Sequence, residues 1–339
     1  LTFTGKIKDL AGDGHYSFSL FLCCFKQHSM DSIKHIYRIG HGPSSSHTMG
    51  PSRAAELFKN RTASAVSYKI TLYGSLAATG KGHLTDQAVE LMLAPKKVNF
   101  VWEPQTFLPR HPNAMKLEAL DAEQNTFDEW TVYSTGGGAI TDGTEAESVE
   151  RVYPLTHMKD ILKWCEENGR HFWEYVHLYE APGYQDHLAE VWEVMQQSVQ
   201  RGIENEGVLP GILKLPRKAS SYFIRAQSLK DSLKSRSLVF AYALAVSEEN
   251  ASGGKIVAAP TCGACGVMPS VLVHAKKVYK SDKTAILRAL ATAGLIGNLI
   301  KKNASISGAE VGCQGEVGTA CAMASAATTQ LMGGTIYQI

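Results

Sequence analysis

The sequence predicts an α+β N-terminal domain followed by an all-α domain. Segments with strand and helix signals alternate from residue 30 to about residue 156. From residue 185 onward, apolar residues follow helical spacing almost throughout. The 339 residues, 44% of them hydrophobic, suffice for more than one domain with its own core. We therefore expect the α+β domain over residues 30–184 and the all-α domain over residues 185–339.

Residues 1–29 differ in composition from the rest of the chain. Their apolar run, residues 16–25, is too short to span a bilayer. Lys26 follows this run, where a signal peptide would have a small-residue cleavage site. We expect residues 1–29 to be extraneous or disordered and the folded part to begin at Met30.

The elements of the first half follow from local patterns. Pro51 occupies the first turn of a predicted helix. Residues 66–73 alternate apolar and polar side chains, which predicts a half-buried strand. Another helix is predicted from Thr85 through Met92. The three glycines at 136–138 indicate a loop or a close backbone approach.

The second half of the sequence is predicted to form consecutive helices. One amphipathic helix is predicted over residues 188–203, with Gly207 closing it. Two further helices are predicted over residues 229–249 and 284–302. Residues 304–327 are rich in small side chains, and we expect them to form a deeply buried helix of a soluble protein.

Composition and charge exclude several classes of function. With 34 basic and 32 acidic side chains the net charge is +2, so nothing favours binding to nucleic acid or to an anionic membrane. The seven cysteines are irregularly spaced and do not resemble a secreted disulfide framework. A cytoplasmic protein is therefore expected, in which any important cysteine is a thiol or a metal ligand.

Two nucleotide-binding motifs are excluded. Residues 74–82 resemble a phosphate-binding loop, but the spacing to Lys81 is one residue too long, and Gly82 replaces the Ser or Thr that would hold magnesium. No G-x-G-x-x-G motif follows a predicted strand, and the glycines at 136–138 alone are too weak a signal for a dinucleotide site.

Four cysteines leave several interpretations open. Cys262 and Cys265 have C-x-x-C spacing and could form a redox pair or, with Cys313 and Cys321, a zinc site. The alternative is that these small thiols fill tight helix contacts among the alanines and glycines around them.

Three histidines lie in loops of small or polar residues. Hydroxyl side chains at 44–48 surround His47, glycines flank His83, and prolines flank the Arg110–His111 pair. Each histidine alone is explained more simply by hydrogen bonding within its loop. Residues 307–318 are more informative, because two carboxylates, an amide and a thiol occur among small residues, where polar groups are costly unless paired or bound.

Taken together, six segments resemble the iron–sulfur-dependent L-serine dehydratases, in the single-chain form with the β domain before the α domain. The motifs S-S-S-H-T and E-V-G-C-Q-G-E-V-G are the most specific of them. The resemblance extends from about Met30 to the end of the chain. The segments are residues 39–55, 73–86, 134–140, 208–219, 253–272 and 307–318.

The resemblance implies that the all-α domain is catalytic and that L-serine is converted to pyruvate and ammonia. A [4Fe–4S] cluster acts as Lewis acid on the β-hydroxyl, and pyridoxal phosphate is not required. Cys313 matches the first cluster cysteine. His83 matches the residue we expect to be the general base, with His47 and His111 orienting substrate.

Further residues follow from the same resemblance. Thr261 is expected to hold the substrate carboxylate, at a junction between the domains. Hydroxyl groups are expected to bind substrate or the interdomain surface, namely those of Ser44, Ser45, Ser46 and Thr48. Cys262 and Cys265 do not match cluster ligands. A cytoplasmic homodimer acting in amino-acid catabolism and gluconeogenesis is implied, with serine-over-threonine selectivity left open.

The chain departs from the family pattern in one respect. The other two cluster cysteines of the family lie in later segments of T-C-D-P and P-C-I-E-R-N type, which do not occur in these 339 residues. The sequence therefore holds one of three expected cluster ligands, and we expect the chain as given to be inactive or nearly so. The alternative function is a non-catalytic amino-acid-binding protein that lacks a complete cluster site.

Overall fold

The computed structural model describes residues 29–143, 151–211, 213–306 and 308–339, with the backbone alone at 231 and 308–310. The expectation for residues 1–29 lies outside the described residues apart from Ser29. The described chain forms a five-stranded sheet with three helices, joined to a larger helical part.

The sheet has the strand order β4–β3–β5–β6–β7. Its central strand β3 pairs parallel with β4 and antiparallel with β5. Ile70 of β3 lies opposite Phe100 and Leu117 of its two neighbours. The strands are β3 (Ser67–Tyr73), β4 (Lys97–Glu103), β5 (Ala114–Leu120), β6 (Thr126–Gly136) and β7 (Ala139–Thr141).

Helices α1 (Gly50–Arg61), α2 (Gly74–Thr79) and α3 (Thr85–Leu93) accompany the sheet. The helices predicted at Pro51 and at Thr85 are confirmed. The strand predicted at 66–73 is confirmed as β3, but it is buried on both faces for most of its length because it lies at the centre of the sheet.

The helical part begins earlier than residue 185, with two helices after residue 157. The helices predicted over 188–203, 229–249 and 284–302 are confirmed as α6, α8 and α10. Its helices are α4 (Met158–Asn168), α5 (Phe172–Tyr179), α6 (Tyr184–Glu204), α7 (Ala219–Ser228), α8 (Asp231–Ala251), α9 (Val267–Tyr279), α10 (Lys283–Asn303) and α11 (Gly308–Leu331).

Helix α6 ends before the glycine expected to close it. Its C-terminal cap is Asn205, whose backbone N–H donates to the carbonyl of Arg201, and Gly207 follows in the left-handed region at φ 99°. The α+β domain followed by a helix-rich region is confirmed. The helical region also contributes one four-residue strand, β9 (Lys255–Ala258), which the helical pattern did not predict.

The segment that opens the described chain packs into the helical core. Strand β1 (Met30–Asp31) pairs with β8 (Arg151–Tyr153), and β2 (Arg38–His41) pairs antiparallel with β9. Tyr37, which lies between β1 and β2 in the sequence, is fully buried, and its hydroxyl donates to the carbonyl of Leu290 at 2.8 Å. This anchoring places residues 43–49 at the boundary between the sheet and the helices.

Two buried carboxylates hold the C-terminal end of residues 208–219, one of the segments that resemble the family. Glu249 accepts hydrogen bonds from Arg217 Nη1 at 3.0 Å, Asn205 Nδ2 at 2.9 Å and Arg201 Nε at 3.1 Å. Burial by itself would raise the pKa of Glu249, but the hydrogen bonds from Asn205, Arg217 and Arg201 outweigh it and lower this pKa below its usual value. The neighbouring Glu248 accepts the backbone N–H of Lys218 at 2.6 Å, at the start of α7.

Helix α11, which contains the small-residue segment, is less buried than expected. Ala320, Met323 and Ala327 face the core, whereas Cys313 and Cys321 are exposed. The prediction of a deeply buried helix is therefore wrong for its first turns. Within the described residues, one helix, α10, is long and apolar enough to cross a membrane, and most of it is buried in the protein.

Candidate active site

A cavity of about 390 Å³ lies between the sheet domain and the helical part. The sheet side contributes Ser75 of α2 and four segments, at residues 43–47, 83, 111–113 and 135–137. The helical side contributes two residues of the turn after β9 and Glu316 of α11. Seven of the residues predicted for the site line the cavity: Ser44, Ser45, Ser46, His47, His83, His111 and Thr261.

The hydroxyl-rich loop is a π-helical turn, Ser45–Met49, that runs directly into α1. Ser44 caps it, because its Oγ accepts the backbone N–H of His47 at 3.1 Å. Thr48 is buried outside the cavity lining, and its Oγ1 donates to the carbonyl of His83 at 2.7 Å. Thr48 therefore ties the loop to the segment that carries His83 and does not line the cavity.

The His47 imidazole is held by two serines. Its Nδ1 lies 3.0 Å from Ser46 Oγ and its Nε2 lies 3.0 Å from Ser75 Oγ. Burial and then the neighbouring His83 lower the pKa of His47 to about 4, although its bond with Ser75 acts in the opposite direction. His47 is therefore neutral near pH 7, with one ring nitrogen donating to a serine and the other accepting.

His83 lies against His47, with ring centroids 4.6 Å apart. Its Nδ1 is 3.0 Å from the carbonyl of Thr79. Because a carbonyl oxygen can only accept, Nδ1 carries a proton, and the neutral ring then presents an unprotonated Nε2. This arrangement suits a proton acceptor.

His111 has the opposite arrangement. Its Nδ1 accepts the backbone N–H of Asn113 at 3.1 Å, so in the neutral ring Nε2 carries the proton and can donate. Asn113, whose amide donates to the carbonyl of Ser134 at 3.4 Å, lines the same cavity. The cavity thus combines an imidazole that can accept a proton with one that can donate a hydrogen bond.

Thr261 Oγ1 is a buried polar atom without a hydrogen-bond partner among the described residues. The residue is only 1% exposed, and it lines the cavity. A buried hydroxyl that lacks a partner is costly, so a ligand that hydrogen-bonds to it would be favoured.

Comparison with known proteins agrees with this architecture. The family model "Serine dehydratase beta chain" matches residues 32–99, and "Serine dehydratase alpha chain" matches residues 111–339. The chain belongs to the serine dehydratase family. It is 37% identical to L-serine dehydratase of Haemophilus influenzae over 91% of this chain and 80% of that relative. It is likewise 37% identical to L-serine dehydratase 2 of Escherichia coli over the same shares.

Beyond the predicted site residues, the cavity lining includes the polar side chains of Ser75, Asn113 and Glu316. Ser75 lies in the rejected phosphate-binding loop and also in the segment 73–86 of the family resemblance, and Asn113 directly follows the His111–Pro112 pair. The glycine loop, dismissed as a nucleotide signal, also lines the cavity through Gly136 and Gly137. Ser75, Glu316 and the two glycines lie inside segments of the family resemblance, whereas Asn113 lies outside them and is marked only by its nearness to His111.

Cys313 lies beside the cavity rather than in its lining. It is exposed on α11, three residues before Glu316, and it follows a break in the helix at Gly312, where φ is 67°. Across the described residues, no group of three or more His, Cys, Asp or Glu side chains is placed to hold a metal ion. Cys313 is therefore accessible, and the described residues group no two further His, Cys, Asp or Glu side chains around it.

The four-thiol zinc hypothesis is not supported by the arrangement of its cysteines. Cys262 and Cys265 are buried, whereas Cys313 and Cys321 are exposed. Burial raises the pKa of Cys262 well above its usual value and that of Cys265 to about 12, so both remain thiols. Cys262 Sγ packs 3.3 Å from the sulfur of Met49. Both cysteines act here as small core residues.

Proposed function

We propose that the protein is an L-serine ammonia-lyase, which converts L-serine to pyruvate and ammonia by β-elimination of water. The observation that carries the proposal is the cavity itself, where two differently protonated imidazoles, several hydroxyl groups and the unpartnered Thr261 Oγ1 come together. Its volume of about 390 Å³ accommodates a small amino acid. The relatives named L-serine dehydratase support the same substrate.

In this proposal, His83 Nε2 accepts the α-proton of L-serine, and loss of the β-hydroxyl leaves aminoacrylate. Aminoacrylate tautomerises to the imine, and water hydrolyses it to pyruvate and ammonia. Thr261 Oγ1 donates to the substrate carboxylate, with further hydrogen bonds from the serine hydroxyls of the 44–46 loop. His47 and His111 orient the substrate, and the buried neutral His47 adds no positive charge next to His83.

A [4Fe–4S] cluster, when bound, would polarise the β-hydroxyl as a Lewis acid, and Cys313 would supply one of its thiolate ligands. The exposure of Cys313 and its position three residues before Glu316 support this role. Pyridoxal phosphate has no part in the proposed reaction.

The reaction is tested on the protein produced from its natural gene and treated anaerobically with iron and sulfide. We expect pyruvate and ammonia in equal amounts from L-serine and none from D-serine, because D-serine bound through the same carboxylate and β-hydroxyl would direct its α-proton away from His83. Pyruvate is measured with lactate dehydrogenase and ammonia with glutamate dehydrogenase. Binding of L-serine without turnover would instead support the non-catalytic amino-acid-binding alternative, and absence of both would contradict the proposal.

We also propose that the protein works in the cytoplasm, in amino-acid catabolism and gluconeogenesis, on a free small molecule and without nucleic acid or membrane. The small net charge of +2 supports the absence of a polyanionic partner.

A homodimer is proposed from an apolar surface on the helical part. Leu213 is 76% exposed in the loop before α7, Ile224 is 65% exposed on α7, and Leu233 is 61% exposed on α8. Helices α7 and α8 pack against each other, so these side chains can form one face. Apolar surface of this kind on a soluble protein is typical of a subunit interface.

The double substitution Leu213→Ser with Ile224→Ser is expected to convert a dimer to a monomer, because it places hydroxyls in an apolar interface. Light scattering after size-exclusion chromatography measures the mass. The control is Val66→Ser, which changes a residue that is 54% exposed on the sheet domain. A wild-type protein that is monomeric at micromolar concentration, or a double variant that stays dimeric, would show the interface to be wrong.

A further inference from the structure

A second cleft, of about 750 Å³, lies between the sheet domain and the helical part and shares no lining residue with the candidate active site. Helices α1 and α3 form one wall. Residues 34–41, helix α6 and the first residue of β9 form the other. Like the candidate active site, the cleft is therefore built from both parts of the molecule.

Four cationic side chains line this cleft, with two carboxylates opposing them. Arg53 comes from the sheet domain. The other cations belong to the helical side and are Lys34, Arg38 and Lys255. The two carboxylates are those of Glu56 and Glu190, and both of these residues are exposed. Cations thus exceed carboxylates by two among the lining residues, and both walls contribute at least one cation.

Two imidazoles of the cleft add hydrogen-bonding capacity without charge. Burial, then Arg38 and Lys301, lower the pKa of His35 to about 4, with Arg53 acting in the same direction and Asp31 opposing it. The cations around His35 therefore outweigh the nearby carboxylate, which agrees with a positive potential in the cleft.

His187 is fixed in the same way as His83. Its Nε2 lies 3.1 Å from the carbonyl of Tyr37, so Nε2 donates and the neutral ring keeps Nδ1 as an acceptor. Burial is the main cause that lowers the pKa of His187, and Lys34 also lowers it, whereas the bond to Tyr37 and the carboxylates Glu190 and Glu180 act in the opposite direction. The cleft thus contains cations that attract an anion and neutral imidazoles that can orient it.

We propose that this cleft binds a small dianion, of the phosphate or dicarboxylate class, between the two parts of the molecule. Guanidinium groups present paired N–H donors that match the oxygens of either group. An anion held at once by Arg53 and by Lys255 joins α1 to β9 and relieves the repulsion between the cations of the two walls.

The cleft and the candidate active site meet at one loop. Arg38 Nη1 donates to the carbonyl of Gly137 at 2.7 Å. Gly137 lines the active-site cavity and its neighbour Gly138 lines the cleft. An anion that binds Arg38 therefore acts on a residue in contact with the active-site wall. A change in the KM for L-serine is expected as a consequence, and this consequence alone rests on the proposed function.

The site is tested by isothermal titration calorimetry of the purified protein with inorganic phosphate and, separately, with malonate, in chloride buffer of constant ionic strength. At least one of the two probes is expected to bind. Arg53→Gln is expected to weaken that binding about tenfold or more, because it removes a charge-assisted contact. Lys255 is exposed at a strand end, so Lys255→Gln is expected to fold normally and to weaken binding severalfold.

The matched control is Arg225→Gln, which removes the same charge from an exposed position on α7. It is expected to leave the affinity unchanged. The proposal is overturned if neither probe binds, or if Arg225→Gln weakens binding as much as Arg53→Gln. It is also overturned if both cleft variants keep wild-type affinity, since the anion would then bind elsewhere, for example among the hydroxyls of the active-site cavity.

Discussion

His83→Ala is expected to lower kcat for L-serine by about 10²- to 10⁴-fold, the contribution usual for a general base. The bond from Nδ1 to the Thr79 carbonyl leaves Nε2 as the acceptor, in a cavity where His47 is held by two serines and His111 presents a donor. None of the neighbouring imidazoles therefore has the same geometry to replace it. The measurement is steady-state pyruvate formation by the reconstituted enzyme, with KM determined in parallel.

The matched control is His157→Ala, at an exposed position before α4 that makes no side-chain capping bond. It is expected to keep wild-type kcat. Iron content and the unfolding midpoint of His83→Ala should match those of the wild type, so that a lost cluster or a lost fold is recognised. If His83→Ala keeps most of its kcat while His111→Ala loses it, the assignment of the base to His83 is wrong.

The site could be predicted from sequence only as separate segments. A histidine between glycines, as at His83, signals an accessible imidazole, and the family resemblance then links it to the hydroxyl loop. Local sequence patterns do not predict the contact between His47 and His83, whose ring centroids are 4.6 Å apart, or the hydrogen bond between His47 and Ser75. These contacts depend on how α1, α2 and α3 meet at the end of the sheet, so Ser75 was missed.

The first and last residues of the long helices were predicted to within a few positions, because the spacing of their apolar residues repeats over several turns. Strand β9 was missed, since four residues carry no periodicity and its pairing partner, β2, lies far away in the sequence. The burial of both faces of β3 was also not predictable, because it follows from its central place between β4 and β5. Local pattern fixes an element, and its neighbours decide how much of it is buried.

The same limit applies to Glu180, which sequence analysis did not single out and which joins the N-terminal segment to the helical core. This buried carboxylate accepts hydrogen bonds from Ser32 Oγ at 2.7 Å, the backbone N–H of Ile33 at 2.8 Å and the hydroxyl of Tyr153 at 2.5 Å. Burial, and then Glu180, raise the pKa of Tyr153, so its hydroxyl stays protonated and donates.

Glu180→Ala is expected to lower the free energy of unfolding by about 3 to 5 kcal/mol, because three donors that are buried lose their acceptor together. Glu180→Gln keeps one acceptor oxygen, and its loss should be smaller. Urea-induced unfolding followed by tryptophan fluorescence measures both. The control is Glu193→Ala on α6, where an exposed carboxylate contacts only Gln197 among the described hydrogen bonds, and a change within about 0.5 kcal/mol is expected.

A loss of unfolding free energy for Glu180→Ala no greater than that for Glu193→Ala would contradict this role of Glu180.

The substitution Glu180→Ala is also expected to affect the candidate active site. Residues 32 and 33 lead through β2 into the turn Ser45–Met49, so releasing them frees the strand that holds the hydroxyl loop against the helical core. Glu180→Ala should therefore also raise the KM for L-serine at temperatures where the protein is still folded, whereas Glu193→Ala should not.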